Sequence, residues 1–147
     1  MRKAKSASSY TPADQAKVDT PSRIAPLRFR VFSEVVEFEP TAEFPILVVA
    51  TEEYKTWRNG IADKKTMARI TLGVGKMRRG LFGDWKDVGE GVFELRLDFG
   101  SGYRVYYAKI GRILIALLGG GDKSRQQSDI ARAQRIWKEL KDEIEQV

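Results

Sequence analysis

Phe93-Glu94-Leu95-Arg96-Leu97-Asp98-Phe99, then Gly100-Ser101-Gly102, then Tyr103-Arg104-Val105-Tyr106-Tyr107-Ala108-Lys109 is the stretch on which the fold turns. Its first seven residues alternate strictly, with Phe93, Leu95, Leu97 and Phe99 on one face and Glu94, Arg96 and Asp98 on the other. A period of two belongs to a half-buried strand. The Gly-Ser-Gly that follows supplies a tight turn, so Tyr103 to Lys109 returns as the second strand of a hairpin. After Gly111, the segment Arg112 to Leu118 contains an unbroken apolar run from Ile113 and reads as a third strand. The three form an antiparallel meander.

Upstream, Ile46-Leu47-Val48-Val49-Ala50 reads as a buried strand running into Thr51, a helix N-cap followed by Glu52 and Glu53 in the first turn. Tyr54 and Trp57 give that helix an aromatic core stripe, and Asn59-Gly60 ends it. A second helix from Asp63 places Met67, Ile70, Val74 and Met77 on one face, despite Gly73 and Gly75. Residues 80–91 are punctuated by glycine and read as a loop. Beyond Gly119-Gly120-Gly121, Ser124-x-x-Gln127 forms a capping box for a terminal helix with Ile130, Ala133, Ile136, Trp137, Leu140 and Ile144 in one stripe. Strand, two helices, three strands and a helix make an α+β fold, with a small antiparallel sheet, two N-terminal helices and a C-terminal helix. Residues 1–22 lack any period and read as a tail. Arg23 to Pro40 alternates in part, allowing an extra strand or a segment ordered by a partner, so the chain divides into an extension, 1–40, and a domain, 41–147.

The 147 residues suit one domain, and 42% hydrophobic with 31% charged is a globular balance. The apolar run at 113–118 is too short to cross a bilayer. Arg2, Lys3 and Lys5 lead into a polar stretch with no secretory apolar core, so a cytoplasmic address is expected. Without cysteine or histidine, thiol nucleophiles, disulfides and the usual zinc sites are excluded, and no metal or cofactor is expected. Any acid–base work falls to Lys, Arg, Tyr, Asp or Glu. The net charge is +6. The surplus lies between Lys64 and Arg132, where 14 basic residues face 7 acidic ones, which is the footprint of a polyanion binder.

If the hairpin pivots on Ser101, Asp98 faces Arg104, Arg96 faces Tyr106 and Glu94 faces Ala108, all on the side away from the core. Lys86 lies just upstream, and Lys123 with Arg125 just beyond the third strand. Such a patch suits attack of a 2′-hydroxyl on its neighbouring phosphate, because guanidinium forks meet charge developing on phosphoryl oxygens. Arg96 and Arg104 fit that role. Glu94, Lys86, Lys123 and Tyr106 are candidates for proton transfer, and spacing does not choose among them. Trp85 either stacks an RNA base or plugs the core edge; Tyr106 and Arg125 are further candidate RNA contacts. The same charges would also serve as plain ion pairs, Asp98 with Arg104 and Glu94 with Arg96. Two decoys fall away: Asp122 before Lys123-Ser124 breaks the phosphate-loop pattern, and Gly73-x-Gly75 lies within a helix.

Three ordered blocks carry a resemblance. Gly83-Asp84-x-Lys86-x-Val88-Gly89-x-Gly91-Val92-x-Glu94-Leu95-Arg96, then Gly100-x-Gly102-Tyr103-Arg104-Val105-Tyr106-Tyr107, then Gly120-Gly121-Asp122-Lys123-Ser124-x-Gln126-x-x-Asp129-Ile130 resemble the HigB-like addiction-module killer branch of the RelE/ParE toxin superfamily. The Trp57 helix and Ala68-Arg69-Ile70 are similar too, and the resemblance covers about Phe44 to Leu140. It implies a RelE-like α+β fold, ribosome-dependent cleavage of translated mRNA and neutralisation by a cognate antitoxin, often of the helix-turn-helix type. By position, Arg104 matches a phosphate-stabilising arginine, Arg96 a basic catalytic position, and Lys123 the basic residue after the last strand. Glu94 stands where the best-studied RelE-type toxins have lysine, and Asp129 near where they have a catalytic tyrosine. A ribosome that aligns the substrate would offset the lack of histidine, so free RNA is expected to be cleaved weakly or not at all. Two rivals are a ParE-like toxin that inhibits DNA gyrase by binding, and an inactive module whose basic patch holds an acidic antitoxin segment.

Overall fold

A computed structural model describes residues 26–147, so the reading of 1–22 as a tail lies outside the described residues. The fold is α+β. Strands β1 (Leu27–Val31) and β2 (Glu34–Phe38) form a hairpin, followed by β3 (Leu47–Ala50), helices α1 (Glu52–Asn59) and α2 (Lys64–Met77), and strands β4 (Asp84–Gly89), β5 (Val92–Leu97), β6 (Tyr103–Ile110) and β7 (Leu114–Asp122). Helix α3 (Gln126–Leu140) and a short β8 (Ile144–Gln146) complete it. The main sheet has the order β3-β7-β6-β5-β4, antiparallel except that β3 runs parallel to β7. A second sheet has the order β2-β1-β8.

The alternation of β5 works as its pattern predicts on one face: Phe93, Leu95, Leu97 and Phe99 join Val105, Tyr107, Ile115 and Leu117 beneath Tyr54 of α1 and Ile70 and Met77 of α2. The other face is not the solvent side the sequence suggested. Val92, Tyr106, Ala108, Ala116 and Leu118 form a second core with Ala133 of α3 and with Phe29, Val31 and Ile144 of the small sheet. Segment 27–38 thus shares this core across the division drawn at residue 40.

Thr51 is the N-cap of α1 as expected. Its Oγ1 accepts from Tyr54 N–H at 3.2 Å and donates to the Leu117 carbonyl at 2.9 Å, tying the helix to β7. Because Thr51 is buried, Thr51→Ala leaves the Tyr54 N–H without its cap, while the Leu117 carbonyl keeps the Thr51 N–H at 3.0 Å; the loss should cost about 1 kcal/mol, whereas Thr51→Ser should retain most of the stability. Urea melts of the two variants read the difference directly.

Gly73, an unfavourable residue within a helix, has a packing reason: a Cβ there would lie 2.8 Å from Leu97 Cδ2, so glycine lets α2 approach the sheet.

Four departures from the sequence reading share a local cause each. The expected loop 80–91 contains β4, an edge strand whose side chains are mostly exposed and whose ladder is interrupted between Asp87 and Gly89, which erases the period-two signal. The hairpin register differs by two: Glu94 pairs with Tyr106 and Arg96 with Arg104. Its turn closes from Gly102 N–H to the Phe99 carbonyl at 3.0 Å, with Gly100 and Gly102 both left-handed, so the pivot is Gly100 and not Ser101. The capping box at Ser124 does not form. Asp122 instead accepts from Ser124 N–H at 2.9 Å and starts a 3₁₀ turn, Lys123–Arg125, ahead of α3. Finally, Ile144 leaves the helical stripe and is buried in β8.

Candidate functional site

Cross-strand pairing assembles the site in two adjacent rows on the α3 face of the sheet. Lys86, Glu94 and Tyr106 lie opposite one another in one row; Asp84, Arg96, Arg104 and Gly121 do so in the next. Directly opposed residues project to the same side of a sheet, so this register brings Lys86, Arg96 and Arg104 to one face. Lys123 joins them at the end of β7. A Cβ on left-handed Gly102 would meet Lys123 Cδ at 3.2 Å and Arg104 Nη1 at 3.5 Å, so the bare glycine lets these two side chains converge.

Glu94 is fully buried. Arg96 Nε donates to its Oε1 at 3.2 Å, Arg104 Nε stands 3.6 Å from the same oxygen, and Gln126 Nε2 donates to Oε2 at 2.7 Å. Arg104 Nη1 also donates to the carbonyls of Gly102 and Tyr103, at 3.1 and 3.2 Å. A buried carboxylate needs this compensation. The arrangement corrects the expectation that Glu94 is an accessible acid or base: it is an internal anchor that orients both arginines. Tyr106 is corrected likewise, because its side chain is wholly buried beneath α3 and has no surface to offer RNA. Its hydroxyl is pushed well above the usual phenol range by burial, then by the Glu94 and Asp129 carboxylates, with Arg104 opposing. Neighbouring Tyr107 is pushed up to about 12 by burial alone.

Trp85 lies on the opposite face, in register with Leu95. Half its surface is exposed, its ring meets Phe93 edge-on, and the Lys109 ammonium stands 5.5 Å from its centre. It is therefore separated from the arginine cluster by the sheet. Arg125 is exposed at the end of the 3₁₀ turn, beside Lys123 and Gln126 on a shallow depression of about 370 Å³. Arg69 and Lys76 of α2 line a second hollow with Arg96 and extend the positive surface around the sheet edge.

Two residues outside the candidate catalytic and RNA-binding set complete the centre. Gln126 stood in the third block of the resemblance, but only the fold shows it reaching Glu94. Asp129 is buried over Gly121, whose Cβ would fall 2.0 Å from Asp129 Oδ2. Burial raises the proton affinity of Asp129, Arg132 and Arg125 lower it, and Asp122 raises it. Because the folded value stands above the unfolded one, the native state binds more protons. Asp129 therefore favours folding most when protonated, and that contribution is lost as pH rises from the ordinary aspartate range through its raised value. Asp129→Asn should accordingly melt higher than the parent at pH 7, with the gap closing below pH ~4; thermal melts across that range check it.

No family model matches the chain. Over 95 residues it is 39% identical to an uncharacterized protein of Haemophilus influenzae, an alignment that covers 65% of this chain and 96% of that protein. The chain belongs to the family of that protein. About a third of the chain lies outside the shared region. Among the described residues, no helix is long and apolar enough to cross a membrane.

Proposed function

We propose that this chain is the toxin of a type II toxin–antitoxin pair, a RelE/ParE-superfamily protein of the HigB-like kind with a RelE-like fold, acting in the cytoplasm as a ribosome-dependent mRNA endoribonuclease. The observation that carries the reading is the placing of Lys86, Arg96 and Arg104 on one sheet face, with Lys123 beside Arg104 at Gly102 and the arginines braced from beneath by buried Glu94. Pre-oriented guanidinium groups are suited to a pentacoordinate phosphorane, whose negative charge exceeds that of the ground-state phosphodiester. The substrate 2′-hydroxyl attacks phosphorus, the P–O5′ bond breaks, and the products are a 2′,3′-cyclic phosphate and a 5′-hydroxyl. Exposed Lys86 and Lys123 are the groups positioned to exchange protons with those oxygens, the role that Glu94 and Tyr106 are too buried to fill. No cofactor takes part. A cognate antitoxin of the helix-turn-helix type silences the protein by covering the basic face.

That burial also favours a second reading. With Glu94 and Tyr106 both withdrawn into the core, the basic face could serve binding alone, as in a ParE-like inhibitor of DNA gyrase. Purified protein added to translating ribosomes and, separately, to a gyrase supercoiling assay separates the two. The nuclease reading expects cut mRNA on ribosomes, little cutting of free RNA and unimpaired supercoiling; blocked supercoiling with intact mRNA overturns it.

A further inference from the structure

On the far side of α3 from the basic cluster, an open groove of about 590 Å³ separates the β1–β2 hairpin from the end of β3 and the start of α1. Val31, Val36, Val49, Ile136 and Leu140 give it an apolar floor. Its rim is acidic: Glu34, Glu52, Glu53, Glu139 and Glu143, with Lys55 as the one cation in the lining. Lys55 is already committed to Glu52 at 3.3 Å. Among the described residues, Glu34, Glu53, Glu139 and Glu143 have no ion-pair partner. In a protein whose net charge is +6, this is a local inversion of sign.

The hairpin turn at the mouth of the groove is strained. Phe32 and Ser33 hold φ of 50° and 77°, values that a two-residue hairpin turn normally assigns to Asn-Gly. Phe32 is fixed there by its N–H, which donates to the Glu143 carbonyl at 3.1 Å, and it lines the groove. A bulky aromatic kept in a left-handed conformation at a groove wall is a cost that a binding role explains.

We propose that the groove is a docking site for the basic segment 1–25 of the same chain. That segment carries Arg2, Lys3, Lys5, Lys17 and Arg23 against Asp14 and Asp19, with Tyr10, Val18 and Ile24 as apolar side chains for the floor. It joins the described chain at Pro26, one strand length from the turn at Phe32, and 25 residues span up to about 80 Å when extended, so reach is no obstacle. Tethering makes the contact intramolecular, which raises its effective concentration into the millimolar range. Basic side chains over the rim neutralise the facing glutamates, and the apolar ones cover the floor.

The test is zero-length carbodiimide cross-linking of the full-length protein, mapped by mass spectrometry. Expected are links from Lys3, Lys5 or Lys17 to Glu34, Glu53, Glu139 or Glu143, unchanged on dilution, weakened at Glu34 and Glu53 in Glu139→Gln/Glu143→Gln, and lost in Lys3→Glu/Lys5→Glu/Lys17→Glu. The Lys55–Glu52 link must form in the same sample and reports that the chemistry worked on folded protein. Absence of the groove links beside that control overturns the proposal. So do links that fade on dilution, which place a second copy in the groove, and links spread to remote carboxylates such as Asp84 and Glu90.

Discussion

Gly120→Ala is expected to lower stability by about 3 kcal/mol, the upper part of the range for overpacked cores. A Cβ at Gly120 would stand 2.3–2.5 Å from three atoms of the Trp57 ring, far inside contact distance. Trp57 lies against the same core as Tyr54, with ring centres 5.9 Å apart, so it cannot swing aside without unpacking α1 from the sheet. For a domain of this size the loss corresponds to roughly 12 °C in melting temperature. Trp57→Leu should be destabilising alone yet partly restore Gly120→Ala, because the two residues compete for one volume. A double-mutant cycle by thermal melting measures that coupling, and strictly additive effects would show that the ring and the glycine do not meet.

Arg104→Ala is expected to be nearly as costly, at about 3 kcal/mol, because it removes one of the two cations that compensate fully buried Glu94. Arg96, more exposed, would remain the sole ion-pair partner. Loss of function in Arg104→Ala therefore mixes lost chemistry with lost fold. Glu94→Gln/Arg104→Ala separates them, since the neutral amide no longer demands a buried counter-charge. It should recover most of the stability in urea melts while remaining inactive. Recovery of activity along with stability would mean that Arg104 serves the fold alone.

Much of this was legible in the residues. The alternation at 93–99 identifies the core-facing side of β5, and Thr51 followed by two glutamates marks the start of α1. Lys86, Arg96, Arg104 and Lys123 stand out in the sequence; the register places the first three on one sheet face, and Lys123 lies beside Arg104 at Gly102. What escaped was decided by tertiary contact. Glu94 is polar and alternates with apolar neighbours, so it reads as solvent-facing; only docking of α3 over that face turns it into a buried anchor. Gly119-Gly120-Gly121 reads as a break between elements, yet β7 runs through it because Trp57 crowds Gly120 and Asp129 crowds Gly121. Glycine in a strand often signals close approach, and here that meaning outweighed its use as punctuation. The register error had a smaller cause, a turn centred one residue earlier than symmetry about Ser101 suggested.

The nuclease claim is tested most directly by inducing the protein alone in a bacterial host and mapping new mRNA 5′ ends beside Lys86→Ala/Lys123→Ala. Both lysines are exposed, so this variant should stay folded, a point that circular dichroism confirms. The account predicts new 5′-hydroxyl ends within translated regions for the parent, and their loss with the variant. Growth arrest by the parent with mRNA intact would contradict it.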